Sequence, residues 1–453
     1  MNPTLLLISC KPEYVGYNLL MNLSKYRRFF FFAIIIFVLS ATFLAIKFTQ
    51  GYRIDFVNKT LRPTGLLVAV SNPVGAEVFV NGKLREATNS NLVLSPGEYE
   101  IQIKKSGFLP WQKKLQLKKE LITETNAFLF PEIPDLKPLT FNGALQPNIS
   151  PDSSRIVYVV PIPEVKTSTT SATLANLGGV WVMDLTDSFF PLNKEPRQIA
   201  KSIAKVRDFG STELFWSPDS RQILAVFNSG EKILLDASQF NLDSSLINIS
   251  LTLPNLISGW QTEAKIRELA KLRRLPIPLQ EILSQNTKEI EFSPDGTKVS
   301  YIATASAEIP ENLLPSVLSA STQKQSRQIE PGNLYVYDTK EDRNFLIPFK
   351  IPSPTPLIVK KVKLPTPTPI YQILLSSKTT VPQWFPTSRH LFWIEDEKVI
   401  VCEYDGTNVT TIYSGPFEKS FVVASSGGNR LIILTKLNSS EEKISNLFSV
   451  SLR

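Results

Sequence analysis

Histidine is nearly missing: His390 stands alone in 453 residues. A single imidazole excludes His-rich metal sites and leaves any Ser-His-Asp scheme one candidate base. Cysteine is almost as scarce, with only Cys10 and Cys402. They fall on opposite sides of an apolar run read below as a membrane segment, so no disulfide framework is expected. The chain also lacks a Gly-x-Ser-x-Gly elbow, a Gly-rich phosphate loop, a His-Glu-x-x-His helix and a Cys-x-x-Cys pair. No lysine/arginine block is dense enough to put nucleic acid first. The net charge of +8 and pI near 9.2 instead favour anionic surroundings, such as phospholipid headgroups or acidic wall polymers. No catalytic residue, cofactor or metal site is expected.

Charge is absent altogether from residues 29–46, FFFFAIIIFVLSATFLAI. Eighteen residues at ~1.5 Å each span ~27 Å, enough for bilayer hydrocarbon with modest tilt. A cleaved signal peptide would usually be shorter and followed by a small-x-small site. Lys47, Phe48 and Gln50 follow instead, which favours an uncleaved signal-anchor. Lys25, Arg27 and Arg28 precede the run and put the N-terminus in the cytoplasm, with the bulk of the chain extracytoplasmic. Residues 1–28 then form a cytoplasmic segment, within which Met21 looks like a natural start.

After the anchor the hydrophobic period changes to two. Glu98 to Lys104 alternates polar and apolar, as a half-buried strand does. Asn81-Gly82 suits a two-residue hairpin, and Pro96-Gly97 suits a type II turn. Six strands are expected, at 65–71, 76–81, 91–95, 98–105, 111–118 and 121–130. Ser71-Asn72-Pro73-Val74-Gly75-Ala76 through Asn81-Gly82, then Leu94 to Tyr99, then Lys105 to Trp111, resemble a PEGA domain over residues 63–131, with Val74 in place of the motif's Glu. The resemblance implies a small β-sandwich-like surface module and no reaction.

Residues 134–453 repeat. Ser150-Pro151-Asp152-Ser153, Ser217-Pro218-Asp219-Ser220 and Ser293-Pro294-Asp295-Gly296 each sit between apolar runs. Proline presets φ for a turn, and Asp accepts backbone N–H bonds within it. Decayed copies lie at Gln383–Phe392, around Pro386, and at Val423–Ile432. A further strand follows each copy, at 180–185, 232–237, 334–339, 399–406 and 447–452. Fixed-order β-units in tandem are the mark of a propeller. The units resemble the TolB-like propeller family with its WD-type blade logic. The fold expected is mainly β: a transmembrane helix, a PEGA-like module and a propeller of five to seven blades, five of them visible. Leu136 to Phe141 is expected to supply the strand missing from the last unit. Asp152, Asp219 and Asp295 then cap turns, His390 is structural or exposed, Cys402 is core, and Asp405-Gly406-Thr407-Asn408 is a hairpin turn.

Inserts at 161–179, 254–287, 303–332 and 351–378 are expected on one face, opposite the Ser-Pro-Asp turns, because strand direction alternates. Long loops on a rigid scaffold concentrate recognition residues. Thr262 to Leu275 reads as a helix with Thr262 as N-cap and Ile266, Leu269 and Ala270 on one face. It carries Lys265, Arg267, Lys271, Arg273 and Arg274. Lys360, Lys361 and Lys363 lie in a Pro/Thr-rich insert. These eight cations are the candidate contacts to an anionic wall polymer, surface polymer or envelope protein. The leading reading is a non-catalytic, single-pass, extracytoplasmic binding scaffold. A pocket enzyme of lyase or glycosidase type would need acidic or polar groups converging from several inner strands. An accessory subunit of an envelope complex is the third reading.

Overall fold

The computed structural model describes residues 27–49, 52–55, 60–162, 177–185, 195–315, 317, 321–351, 381–437 and 444–453. Cys10, Met21, Lys25, Lys360, Lys361 and Lys363 lie outside the described residues, as does most of the inserts at 161–179 and 351–378. The chain falls into two compact units, one of residues 1–68, 91–98 and 116–124, the other of 69–90, 99–115 and 125–453.

The first unit begins with helix α1, Arg27–Thr49, which buries no residue. Its 23 residues reach ~35 Å, and it is long and apolar enough to cross a membrane. Arg27 and Arg28 form its first turn rather than preceding it. Tyr52 N donates to Lys47 O at 3.0 Å, and the Lys47 ammonium lies 4.5 Å from the Tyr52 ring centroid. Most of a three-stranded sheet follows, in the order Ile122–Glu124, Gly65–Ala69, Ser90–Leu94. Its first pair is parallel.

The second unit opens with a four-stranded sheet ordered Lys83–Ala87, Glu77–Val80, Gly97–Lys104, Trp111–Leu117. Asn81 and Gly82 turn the first hairpin with φ of 49° and 75°. The type II turn expected at Pro96-Gly97 does not form, since Gly97 opens a strand without positive φ. Lys83–Ala87 is exposed along its whole length, so it carries no alternating pattern for a sequence reading to catch. The strand expected at 121–130 breaks at Thr125 and Asn126. The Thr125 hydroxyl accepts from Val70 N at 2.9 Å and donates to Val70 O at 2.8 Å, and Asn126 has a φ of 47°.

Five antiparallel sheets follow in chain order. Blade 1 is Leu145–Ile149, Arg155–Val160, Gly179–Asp184 and Arg197–Lys201. Blade 2 has three strands, Glu213–Trp216, Gln222–Val226 and Lys232–Asp236. Blade 3 is Thr287–Phe292, Lys298–Ala303, Leu334–Asp338 and Arg343–Ile347. Blade 4 is Gln383–Trp384, His390–Glu395, Lys398–Glu403 and Thr410–Tyr413. Blade 5 is Val422–Ala424, Arg430–Thr435 and Asn446–Ser451, with Leu136–Pro138 as its outer strand. That last pairing sets Leu136 against Val450 and Pro138 against Phe448, as the sequence suggested. Repeated four-stranded sheets stitched end to start are the architecture of a propeller.

A polar clasp holds the stitch. Buried Asn446 accepts through Oδ1 from Thr140 Oγ1 at 3.0 Å and from Gly143 N at 2.9 Å. Leu447 N donates to Thr140 Oγ1 at 2.9 Å. Asn446→Leu strands two buried donors, and an unmade buried bond costs about 1–3 kcal/mol. The expected loss is about 2–4 kcal/mol of unfolding free energy in urea, with Asn446→Asp keeping more than Leu because it keeps the acceptor. An unchanged midpoint for the Leu variant would show that the clasp carries no load.

Each blade is apolar on both faces, so neighbours share cores. Blades 1 and 2 meet through Val157, Val182, Leu214 and Ile223. Blades 3 and 4 meet through Val336, Ile347, Leu391 and Cys402. Blades 4 and 5 meet through Val399, Val401, Leu431 and Val450, and blades 5 and 1 through Ile432, Leu447, Ile156 and Tyr158. Among the described residues, blades 2 and 3 do not share such a core. Helix α2, Leu253–Leu272, lays Leu253, Ile257 and Trp260 on Phe215 and Leu224 of blade 2. Helix α3, Ile277–Asn286, lays Leu279 and Leu283 on Val299, Tyr301, Tyr335 and Tyr337 of blade 3. The helical pair is a wedge between these two sheets. The segment before it holds blade 2's edge by a bridge from Ile233 to Asn248 and by bonds from Lys232 N to Asn248 Oδ1 at 3.4 Å and from Ser250 Oγ to Gly230 O at 3.2 Å, so a fourth strand is absent there among the described residues.

Candidate functional site

The recurring tetrapeptides build the same corner each time. Ser150, Ser217 and Ser293 donate their hydroxyls to Asp152, Asp219 and Asp295 at 2.5, 2.6 and 2.7 Å. Each Asp also accepts the backbone N–H two residues on, at 3.0–3.1 Å. Ser153, Ser220, Gly296, Ser388 and Gly428 occupy one left-handed position, with φ of 57–70°. Burial pushes the three carboxyls up, but these hydrogen bonds outweigh it and hold all three below the usual Asp range. Corners also join blades. Asp152 N donates to Ser220 Oγ at 3.2 Å, and Asp295 N to Ser388 Oγ at 3.0 Å. Just inside them, Trp216 Nε1 reaches Asn148 O and Trp384 Nε1 reaches Glu291 O, both at 3.1 Å. Pro151, Pro218, Pro294 and Pro386 sit in the corners and shape the turns through their fixed φ.

The described basic candidates are all on α2 or just after it. The expected helix start at Thr262 is wrong: α2 begins nine residues earlier, and the Thr262 hydroxyl bonds Ser258 O at 2.8 Å inside it. Pro254 near the helix start marks the true N-terminus. The expected apolar face is also wrong. Ile266 and Leu269 are exposed, because the face that buries Leu253, Ile257 and Trp260 continues into Arg267, Lys271 and Arg274. That face meets the Ser-Pro-Asp corners rather than lying opposite them. Arg267 donates to Pro218 O at 2.5 Å and pairs with Glu263 at 2.6 Å. Lys271 and Arg274 line a cleft of about 230 Å³ with Leu275, Phe292, Ser293, Pro294, Asp295, Gly296 and Thr339. Lys265 and Arg273 are exposed on the other side. The α2 helix is ~30 Å long, so an insert rooted on one side of the blades reaches the other. The 303–332 insert crosses too. Leu313 N and Arg327 Nη1 bond the Asp342 carboxylate, in the turn after Leu334–Asp338, at 3.1 and 3.2 Å.

A second cluster joins strand Trp111–Leu117 to the turn at 403–408. Lys113 Nζ lies 2.6 Å from Asp405 Oδ2 and also pairs with Glu403; all three side chains are at most 9% exposed. Trp111 Nε1 donates to Glu403 Oε1. Asn408 Nδ2 donates to the same oxygen at 3.0 Å, and Gln112 N donates to Asn408 Oδ1 at 2.9 Å. Burial alone would lower the Lys113 pKa, but the charges of Glu403 and Asp405 outweigh it and hold the ammonium above its ordinary value. Gln323 of the crossing insert donates to Lys114 O at 2.7 Å.

Residues 64–132 match the PEGA domain family. The chain carries a PEGA domain. No curated protein matches it in sequence. Among solved structures it is similar to the putative TolB from Agrobacterium tumefaciens, at 9% identity over 73% of this chain and 76% of that one, with a TM-score of 0.20. TolB from Acinetobacter baumannii gives 12% identity, 79% and 60% coverage and a TM-score of 0.19, so the chain spans under two thirds of that protein. The β-propeller domain of the Trilobed protease from Pyrococcus furiosus gives 11%, 86% and 96%, and 0.18. Scores this low carry no argument; the propeller reading rests on the sheet order above.

The PEGA domain's last residues, Phe128 and Phe130, box His390 together with Phe385, at centroid distances of 5.8, 5.6 and 6.2 Å. The imidazole is buried. Desolvation, then the nearby charges of Arg389 and Lys113, lower its pKa to about 3. Cys402 is fully buried in the core between blades 3 and 4. The turn at Asp405 closes blade 4, with its Oδ1 accepting from Thr407 N and Oγ1 at 3.2 and 2.6 Å. On the inner strands, the position four residues before each corner holds Gln146, Glu213 and Glu289 in blades 1–3. Blades 4 and 5 place Val381 and Phe421 there, so the polar positions do not run round all five units. Among the described residues, no three His, Cys, Asp or Glu groups are placed to hold a metal.

Sequence reading missed Lys113, Glu403 and Trp111 as a unit. They lie about 290 positions apart, and nothing local in Trp111-Gln112-Lys113 marks an ammonium bound for burial. The one signal was a lysine on the apolar parity of its strand, beside Trp111 and Leu115.

Proposed function

We propose that the chain is a non-catalytic, membrane-anchored scaffold of the bacterial envelope, with the PEGA domain and propeller outside the membrane and the basic α2 region directed to an anionic envelope polymer. The observation that carries this reading is the buried Lys113–Glu403–Asp405 latch. It costs desolvation of three charges, which a loose spacer has no need to meet. A PEGA strand fixed this way makes one continuous surface with blade 4. The incomplete polar lining of the inner strands supports binding over pocket chemistry.

The test is co-sedimentation of the full chain, in detergent, with isolated envelope wall material. Retention that falls steeply between low and high salt is expected. The chain length of the recovered polymer should be unchanged. No retention, or newly cut polymer ends, would overturn the proposal.

A further inference from the structure

We infer that the cleft between α2 and the blade 3 corner is a binding site for a single anionic sugar unit of a polymer. This rests on the binding reading above and narrows it to one place and one chemistry. Lys271 and Arg274 are both exposed, and among the described residues neither is in an ion pair with a carboxylate. The cleft also holds one carboxylate, Asp295, which stays ionised, so its lining carries two cations against one anion. Asp295 takes Ser293 Oγ and Thr297 N on Oδ1, and Thr297 Oγ1 on Oδ2 at 2.8 Å. The other basic residues differ. Arg267 is spent on Glu263 and Pro218 O, while Lys265 and Arg273 stand on the outer side of the helix with no wall beside them.

The walls favour a sugar over a bare anion. Phe292 and Pro294 give apolar surface for the C–H face of a ring, while Thr339 Oγ1, which donates to Thr297 O at 2.7 Å, and the corner carbonyls can accept from sugar hydroxyls. The Lys271 ammonium stands 5.9 Å from the Phe292 centroid, so charge and ring are adjacent. At about 230 Å³ the cleft lies below the ~300–1,000 Å³ of sites for drug-sized ligands, which suits one unit of a chain that continues on both sides. The site exists because the wedge replaces direct blade packing here. At the blade 1–2 and blade 3–4 junctions a corner serine and a tryptophan close this space. The anionic group can be a carboxylate or a phosphate; the shared requirement is negative charge on a sugar unit.

The experiment titrates the full chain, in detergent at low salt, with labelled polygalacturonate oligomer and with a phosphomannan oligomer. Polyglutamate and neutral dextran serve as comparators. Two double reversals change net charge equally: Lys271→Glu with Arg274→Glu in the cleft, and Lys265→Glu with Arg273→Glu outside it. The cleft pair should weaken binding of a sugar-based anion at least tenfold and the outer pair less than twofold. Whichever polymer shows the larger contrast identifies carboxylate or phosphate as the anion. Lys271→Gln with Arg274→Gln should fall between, and it replaces the reversal if that fails to fold. Equal losses from both pairs, or no loss from either, would overturn the cleft while leaving polymer binding intact. Polyglutamate bound as tightly as the sugar polymers would overturn the sugar. No binding of any polyanion by the unaltered chain would overturn the broader reading as well.

Discussion

Lys113→Met is expected to cost about 3–5 kcal/mol, because it leaves the Glu403 and Asp405 carboxylates buried without their counter-charge. The loss should be local first. Amide exchange along Trp111–Leu117 and over 403–408 should rise well before exchange in blades 1 and 2. Lys113→Met combined with Glu403→Gln and Asp405→Asn should recover much of the stability, since neutral groups of similar shape remove the unpaired charge. Trp111 and Asn408 can still donate to the amide carbonyl that replaces the Glu403 carboxylate. If the single variant exchanges like the parent chain, the latch is ornamental and the scaffold reading loses its support.

His390 should make the fold acid-sensitive from about pH 6.5 downwards, starting above the usual carboxylate range. Its folded pKa is about 3, against about 6.5 for an unfolded histidine. The folded pKa is depressed, so the unfolded state binds the proton more readily. Stability is therefore full above about pH 6.5 and is lost as pH falls towards 3. One pKa unit is worth about 1.4 kcal/mol, so the whole window amounts to about 5 kcal/mol. Between pH 5 and 6.5 no other histidine exists to confuse the result. Urea midpoints should fall in that interval for the parent chain and stay level for His390→Leu, which keeps an apolar group among Phe128, Phe130 and Phe385. A parent chain with a flat profile would mean that the box admits water and the proton.

These two sites and the corners differ in how visibly the sequence carries them. Ser217-Pro218-Asp219 is legible because the whole corner is made by consecutive residues, and the φ of Ser220 and the Ser217–Asp219 bond follow from them. The strand at Leu136–Pro138 was legible by counting: the last unit lacks a partner and an unassigned strand precedes the first. The α2 face was not. Ile266 and Leu269 have helical spacing, but burial is set by which turns of the helix touch blade 2, and contact ends near Trp260. The latch left only the parity of Lys113 to show it, for a different reason. Its charges come from two domains, and each looks like an ordinary surface residue until the partner is known. The missing fourth strand of blade 2 belongs with these, since the repeat pattern predicts it and only the presence of the helices explains its loss.

The stitch between Leu136–Pro138 and Asn446–Ser451 also sets an order of events during synthesis. Asn446–Ser451 is the middle of its sheet, flanked by Leu136–Pro138 and Arg430–Thr435, yet the ribosome makes it after both. Blades 1 to 4 can assemble while the chain is emerging. Leu136–Pro138 must wait, while about 300 further residues are made, as an open edge able to accept a stranger's strand. A polypeptide released before Asn446–Ser451 is made would keep that edge exposed for its lifetime, so loss of that strand should be felt as clumping and degradation rather than as a slightly smaller protein.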